Sequence, residues 1–259
     1  MIKKIFFFTI LFWNTQAQAI GIKHDFIVHL GLFDASRTSF EYNFDKKNYL
    51  AKSEVKTNGL FDTVYPFIAN YYTSGSINKD NIFKTEIYRY QSQTRTNKRS
   101  KEMVYNEQGL PIYRISTKNN KSKKVDKQQD KKNEGTTDLQ TVFAEMSKQY
   151  TELRFCDSRM EVFDGKRRFD VVFKDEGEET IISNEYSPYG GLAHKCSLYI
   201  DKLDTQGDDL LWQITSERPI YFWILEEQKT KLPFIARIFV NDTPLGELNV
   251  YTQQITVKD

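Results

Sequence analysis

Apolar and polar residues alternate with period two along most of this chain, the mark of half-buried antiparallel strands. The alternation predicts strands near 25–33, 38–45, 47–57, 82–94, 99–106, 110–117, 152–163, 166–175, 179–187, 193–201, 209–216, 218–227, 233–240 and 246–257. Turn-forming pairs punctuate the runs, among them Asn58-Gly59, Asp164-Gly165, Glu176-Gly177, Gln206-Gly207 and Asn241-Asp242. No internal repeat and no dividing linker interrupts the pattern, so residues 20–259 read as one mainly-β domain.

Helical period is clear once. In TTDLQTVFAEMSKQY, Leu139, Val142, Phe143 and Met146 stand at i, i+3, i+4 and i+7, which predicts a helix near 137–150 with a single apolar stripe facing the sheet. Thr137, with Gln140 three residues on, matches a capping box. A second helical face, Leu60, Val64, Phe67 and Tyr71 over 60–71, is opposed by Pro66. Between strand and helix, residues 118–135 read KNNKSKKVDKQQDKKNEG, with Val125 as the only apolar side chain. That composition predicts a mobile Lys-rich loop. It lacks the aromatics that stack on bases, so no nucleic-acid partner is expected, whereas anionic headgroups remain compatible with its charge.

Residues 156–173, CDSRMEVFDGKRRFDVVF, carry eight charged side chains. Read as a hairpin turning on Asp164-Gly165, a two-residue loop sets Glu161 opposite Arg168 and Arg159 opposite Asp170. The charges then form one face, and Met160, Val162, Phe169, Val171, Phe173 and Cys156 form the other. This is a register-fixing polar face rather than an acid/base pair, which needs one desolvated carboxylate.

The first nineteen residues, MIKKIFFFTILFWNTQAQA, stand outside the pattern. Lys3 and Lys4, the apolar run Ile5 to Trp13, and Ala17-Gln18-Ala19 predict a signal peptide cleaved after Ala19; the run is shorter than the roughly 20 residues a membrane span needs. Lys and Arg total 37 against 35 Asp and Glu, and removing Lys3 and Lys4 would leave the charges balanced, so bulk charge names no partner. Cys156 and Cys196 are the only cysteines. Export favours a disulfide between them; two reduced core thiols are the alternative.

Little else suggests chemistry. His24 and His29 are five apart on one strand and point to opposite faces, and His194 stands alone near the Gly190-Gly191 turn. No metal or cofactor is expected. Ser53-Glu54-Val55-Lys56 matches S-x-x-K without companion motifs. The strands Ile220 to Leu225 and Phe234 to Val240 are apolar on both faces. They form either a plain core or the wall of an apolar concavity.

The chain resembles a family of bacterial envelope proteins, the domain of unknown function 3108. The resemblance rests on Leu30-Gly31-Leu32, Tyr49, Thr57-Asn58-Gly59-Leu60, Tyr72-Thr73-Ser74-Gly75, Thr137-Asp138-Leu139, Cys156, the stretch Val162 to Asp170, Tyr189-Gly190-Gly191, Cys196, Leu232-Pro233-Phe234 and Leu245-Gly246-Glu247-Leu248. Where the family often has Asp-Pro-Leu at the helix start, Leu139 here follows Asp138 directly. The resemblance implies export to the periplasm and a curved, open half-barrel like that of lipoprotein carriers; it supplies no catalytic residues. The expected function is non-enzymatic binding of an apolar ligand, a lipid or a lipoprotein acyl chain. The cavity would be lined by Leu139, Val142, Phe143, Met146, Phe222, Ile224, Phe234 and Ile238. An envelope scaffolding protein without a small ligand, and a glycan hydrolase built on two carboxylates, are the alternatives.

Overall fold

A computed structural model describes residues 20–258 apart from 46, 80, 81, 127–130, 204–212, 244 and 245. The predicted signal peptide, the Gln206-Gly207 turn and part of the strand expected at 209–216 lie outside the described residues.

The chain runs as a meander from β1 (Ile20–Leu30) through β2 (Phe33–Phe44) and β3 (Asn48–Thr57). A short helix α1 (Gly59–Val64) leads to β4 (Phe67–Ile77), β5 (Phe83–Thr94), β6 (Lys98–Tyr105), β7 (Pro111–Lys118) and β8 (Lys121–Asp126). A 3₁₀ turn (Lys131–Asn133) and helix α2 (Leu139–Leu153) carry it across to the opposite edge. It then returns through β9 (Ser158–Phe163), β10 (Arg168–Ile181), β11 (Gly191–Lys202), β12 (Ile220–Glu226), β13 (Pro233–Thr243) and β14 (Gly246–Lys258). The first and last strands pair in the middle, giving one antiparallel sheet in the order β8-β7-β6-β5-β4-β3-β2-β1-β14-β13-β12-β11-β10-β9. The sheet curls around α2 without closing into a barrel. The predicted architecture, mainly β with a curved open sheet around one helix, is the one observed.

The two edges are latched by side chains instead of a strand ladder. The β9–β10 connection offers the Asp164 carbonyl to Lys101 Nζ on β6 at 2.8 Å and the Gly165 carbonyl to Arg114 on β7 at 2.5 Å. Met103, Tyr105 and Phe163 pack beneath this contact. The connection differs from the two-residue turn expected: Arg168 pairs with Phe163 and Asp170 with Glu161, so the loop has four residues. Asp164 explains it. Its carboxylate accepts the Lys166 and Arg167 amides, each at 2.8 Å, and the Arg167 guanidinium folds back onto it. A shift of two residues preserves which side chains share a face. Arg159 therefore still holds Asp170 at 2.6 Å, and Arg168 still meets Glu161 at 3.5 Å.

Four further expectations need correction. The helical reading of 60–71 holds only for α1; Pro66 cannot follow an α-helical residue without strain, and Phe67 onward is β4, which the alternation missed. Within the Lys-rich segment 118–135, Lys121–Asp126 form β8, hydrogen-bonded to β7 with every side chain but the half-buried Val125 exposed. An edge strand needs only its backbone to pair, and lysines guard it against further pairing. Helix α2 extends to Leu153 and stops where Arg154 adopts a left-handed conformation at φ +60°, which shortens the strand expected at 152–163. Finally, the runs expected at 166–175 and 179–187 merge into one strand, β10, with a bulge at Gly177 (φ +81°) in place of a turn, and the strand ends at Ile181, so 182–187 form a turn instead.

Candidate functional site

Helix α2 lies across the concave face and touches both halves of the sheet. Its first turn is held by polar contacts. Asp138, rather than Thr137, is the N-cap. The buried carboxylate accepts the Gln140 amide and the Thr73 and Thr85 hydroxyls, each at 2.9 Å, and the Thr141 hydroxyl at 2.7 Å. Tyr49 closes the cluster with a 2.6 Å bond to Thr141, and Thr137 bonds Thr85. The Gln140 side chain spans to Ser53 at 2.9 Å. Burial pushes the Asp138 carboxyl above its usual pKa, against the pull of these donors.

The rest of the helix is held by apolar contacts and by the disulfide. Val142, Met146 and Tyr150 pack with Val162, Phe169, Val171, Phe173, Leu198 and Phe222. The Cys156–Cys196 disulfide, with Cα atoms 6.1 Å apart, lies in the same cluster. The bond settles the choice between bridge and free thiols. His194 is not alone: its ring nitrogen and the two sulfurs lie within 4.8 Å of one another. With the sulfurs bonded to each other they offer no thiolate, and His194 Nε2 meets Asp175 Oδ2 at 2.5 Å.

Between these anchors the helix stands off the middle strands and leaves a cavity of about 270 Å³. The sheet contributes His24, Phe26 and Val28 from β1, Phe40 and Tyr42 from β2, and Val55 from β3. The helix adds Phe143, Met146, Ser147 and Tyr150, and β12 to β14 add Ile224, Phe234, Ile238 and Val250. Exposure rises along the cavity. His24, Phe26, Tyr42 and Phe234 are buried, whereas Val28, Thr38, Val55, Ile238 and Val250 are only half-buried. One end is therefore a floor and the other a mouth. Beyond Val28 along β1, the β1–β2 turn and the α1 segment packed on β2 expose Leu32 (97%) and Val64 (70%), together with Phe33, Leu60 and Tyr65.

Of the eight residues expected at the cavity, Phe143, Met146, Ile224, Phe234 and Ile238 line it. Leu139, Val142 and Phe222 do not; they belong to the packed cluster around the disulfide. The apolar stripe of α2 is wide enough to face both, and Val142 and Phe222 fall on the filled side. The sequence reading missed the β1 contribution. His24, Phe26 and Val28 alternate as cavity-facing residues should, but the same alternation marks any half-buried strand. The predicted opposition of His24 and His29 is observed: the His29 ring lies tilted against Tyr186, with centroids 3.9 Å apart, and its Nδ1 meets Asp34 at 2.9 Å, away from the cavity.

What sets His24 apart from other buried polar groups, such as His29 Nε2 and Tyr105 Oη, which find no partner among the described residues, is that it faces the cavity. It is 5% exposed, it lines the cavity, and the contacts of its ring among the described residues are aromatic rather than hydrogen bonds. Its neighbours are the Phe26 and Phe234 rings, with centroids at 5.8 and 6.4 Å. Burial pushes its pKa down to about 4, opposed by the nearby Asp25 charge, so the imidazole is neutral at pH 7.

The charged face of the β9–β10 hairpin carries a carboxylate pair, Glu161 directly opposite Asp170. Each is engaged by an arginine, and Arg159 also pairs with Asp201. Among the described residues no helix is long and apolar enough to cross a membrane.

Comparison with known proteins gives fold and family. No curated protein matches the chain. Among solved structures, a β-barrel-like protein of the domain of unknown function DUF1849 from Brucella abortus is similar, with a TM-score of 0.50 at 8% identity over 94% of this chain and 99% of that one. At that identity the likeness concerns the fold alone. The model of a family described as protein of unknown function (DUF3108) matches residues 25–249, and the chain belongs to that family.

Proposed function

We propose that this is a non-enzymatic protein of the bacterial periplasm that binds the acyl chain of a lipid or lipoprotein between α2 and the middle of its sheet. The observation that carries the reading is the apolar cavity with a buried floor and a half-exposed mouth. Its volume, about 270 Å³, sits near the lower end of the roughly 300–1,000 Å³ of small-molecule sites. That suits a single chain and not a whole two-chain lipid. The exposed apolar side chains beyond the mouth support entry from a lipid surface, since patches of this kind mark interaction sites. Export through residues 1–19 is part of the proposal, and a disulfide suits an oxidising compartment.

Uptake of a fluorescent single-chain acyl probe tests it. The wild type should bind saturably. Ser147→Trp, which fills the cavity from the helix, should weaken binding by about tenfold or more, the equivalent of roughly 1.4 kcal/mol, without unfolding. No saturable uptake by the folded wild type, or equal uptake by the variant, refutes the reading. The exposed apolar set Leu32, Phe33, Leu60, Val64 and Tyr65 also favours a second reading, an envelope protein that docks a protein partner without a small ligand.

A further inference from the structure

The cavity is mostly apolar, and among its polar side chains (Thr38, Tyr42, Ser53, Ser147 and Tyr150 besides His24) His24 is the one imidazole. A buried imidazole without a partner costs free energy that a ligand can recover. We infer that the cavity takes a single-chain carboxylic acid, head group inward, and that His24 is the residue that recognises the head. The inference rests on the cavity being a ligand site and deepens that reading by naming the ligand class.

Three observations favour a carboxylic acid over other heads. First, His24 sits at the floor. Four residues along β1 separate it from Val28 at the mouth, a rise of roughly 13 Å, so a chain whose head meets His24 runs the length of the cavity and leaves past Val28, Ile238 and Val250. Second, the pair is electrically neutral however its one proton is shared. Imidazole with acid, or imidazolium with carboxylate, brings no net charge into an apolar site. An ammonium head or a phosphomonoester dianion would bring one; a phosphodiester monoanion would not, and is set aside by the number of its acceptors. Third, among the buried residues at the floor the polar side chains are the His24 imidazole and the Tyr42 hydroxyl. A phosphodiester has more acceptors than this floor can satisfy, whereas one carboxyl oxygen needs a single strong bond. That bond is charge-assisted in the ion-pair form and about twice as strong as a neutral one.

The test compares a long-chain fatty acid with its methyl ester, by calorimetry, in the wild type, His24→Leu and His24→Gln. The wild type should prefer the acid by about tenfold or more. His24→Leu, which suits the apolar surroundings, should lose that preference, with acid affinity falling to that of the ester. His24→Gln, which keeps a hydrogen-bonding group, should retain part of it. A second readout is independent of affinity: the His24 ring resonances should shift on adding the acid and much less on adding the ester. If folded His24→Leu keeps the full preference, or the wild type binds acid and ester equally, the head-group assignment is wrong while the cavity remains a ligand site. If neither acid nor ester binds the wild type, the ligand-site reading fails and takes this inference with it.

Discussion

Removing the Asp138 carboxylate should cost the protein much of its stability. This side chain caps α2 and at the same time ties the helix to β4 and β5. Asp138→Ala strands the Gln140 and Thr141 amides, the ordinary loss of a cap at about 1 kcal/mol. It also leaves the buried hydroxyls of Thr73, Thr85 and Thr141 without their common acceptor. Thr85 can turn to Thr137 and Thr141 to Tyr49, so not every donor is orphaned. With one or two donors left unpaired at roughly 1–3 kcal/mol each, the total comes to about 4 kcal/mol. Asp138→Asn keeps an oxygen for the amides and should cost about 1 kcal/mol. Urea denaturation at pH 7 measures both. The pH dependence supplies a second check. Burial raises the Asp138 pKa above its ordinary 3.8, so the folded state holds the proton more tightly than the unfolded one. Stability from that proton is fully present below about pH 4 and is lost as pH rises through the folded value. The advantage of wild type over Asp138→Asn should therefore be largest in acid and shrink on raising the pH. An Ala cost below about 1 kcal/mol, or an advantage that grows with pH, would refute the account of this cluster.

Other perturbations test other parts of the structure. Protonating His24 costs about 3 kcal/mol of stability as pH falls from 6.5 towards its folded pKa of about 4, so acid unfolding of His24→Leu should lack that component, and the His24 resonances should not titrate between pH 5 and 8. Opening the Cys156–Cys196 bridge, 40 residues apart in sequence, should lower stability by about 4 kcal/mol on loop-closure grounds, measured by denaturation of the Ser/Ser double variant. Gly165→Ala places a Cβ 2.6 Å from Met103 Sδ at φ +89°, and should lower the melting temperature by loosening the latch between β6–β7 and the β9–β10 hairpin. An unchanged melting temperature would mean the latch contributes little.

Elements whose partners are apolar were legible from sequence, and elements whose partners are backbone or hydroxyl groups were not. The alternation in β1, β5 and β11 and the stripe of α2 reflect burial against side chains. Strand β4 does not read that way. Its inward positions include Thr73, which meets Asp138, and Gly75, where a Cβ would stand 2.0 Å from the Lys84 carbonyl. Polar and absent side chains there serve tight contacts that hydropathy cannot register. Strand β8 is built from lysines because only its backbone pairs. The edge latch runs through two carbonyl groups, Asp164 and Gly165, which every sequence possesses. The cavity was half visible: its β12, β13 and helix walls come from unbroken apolar runs, whereas the β1 wall alternates like any half-buried strand, and the pairing of β1 with β14 that brings these walls together joins opposite ends of the chain.

The most direct test of the cavity as an acyl-chain site is native mass spectrometry of the protein isolated from its own cells without detergent, followed by extraction of whatever it releases. The account predicts an adduct with the mass of one acyl chain per protein in the wild type, lost in Ser147→Trp. A wild type free of any adduct, which also takes up no acyl chain when one is offered, would contradict it.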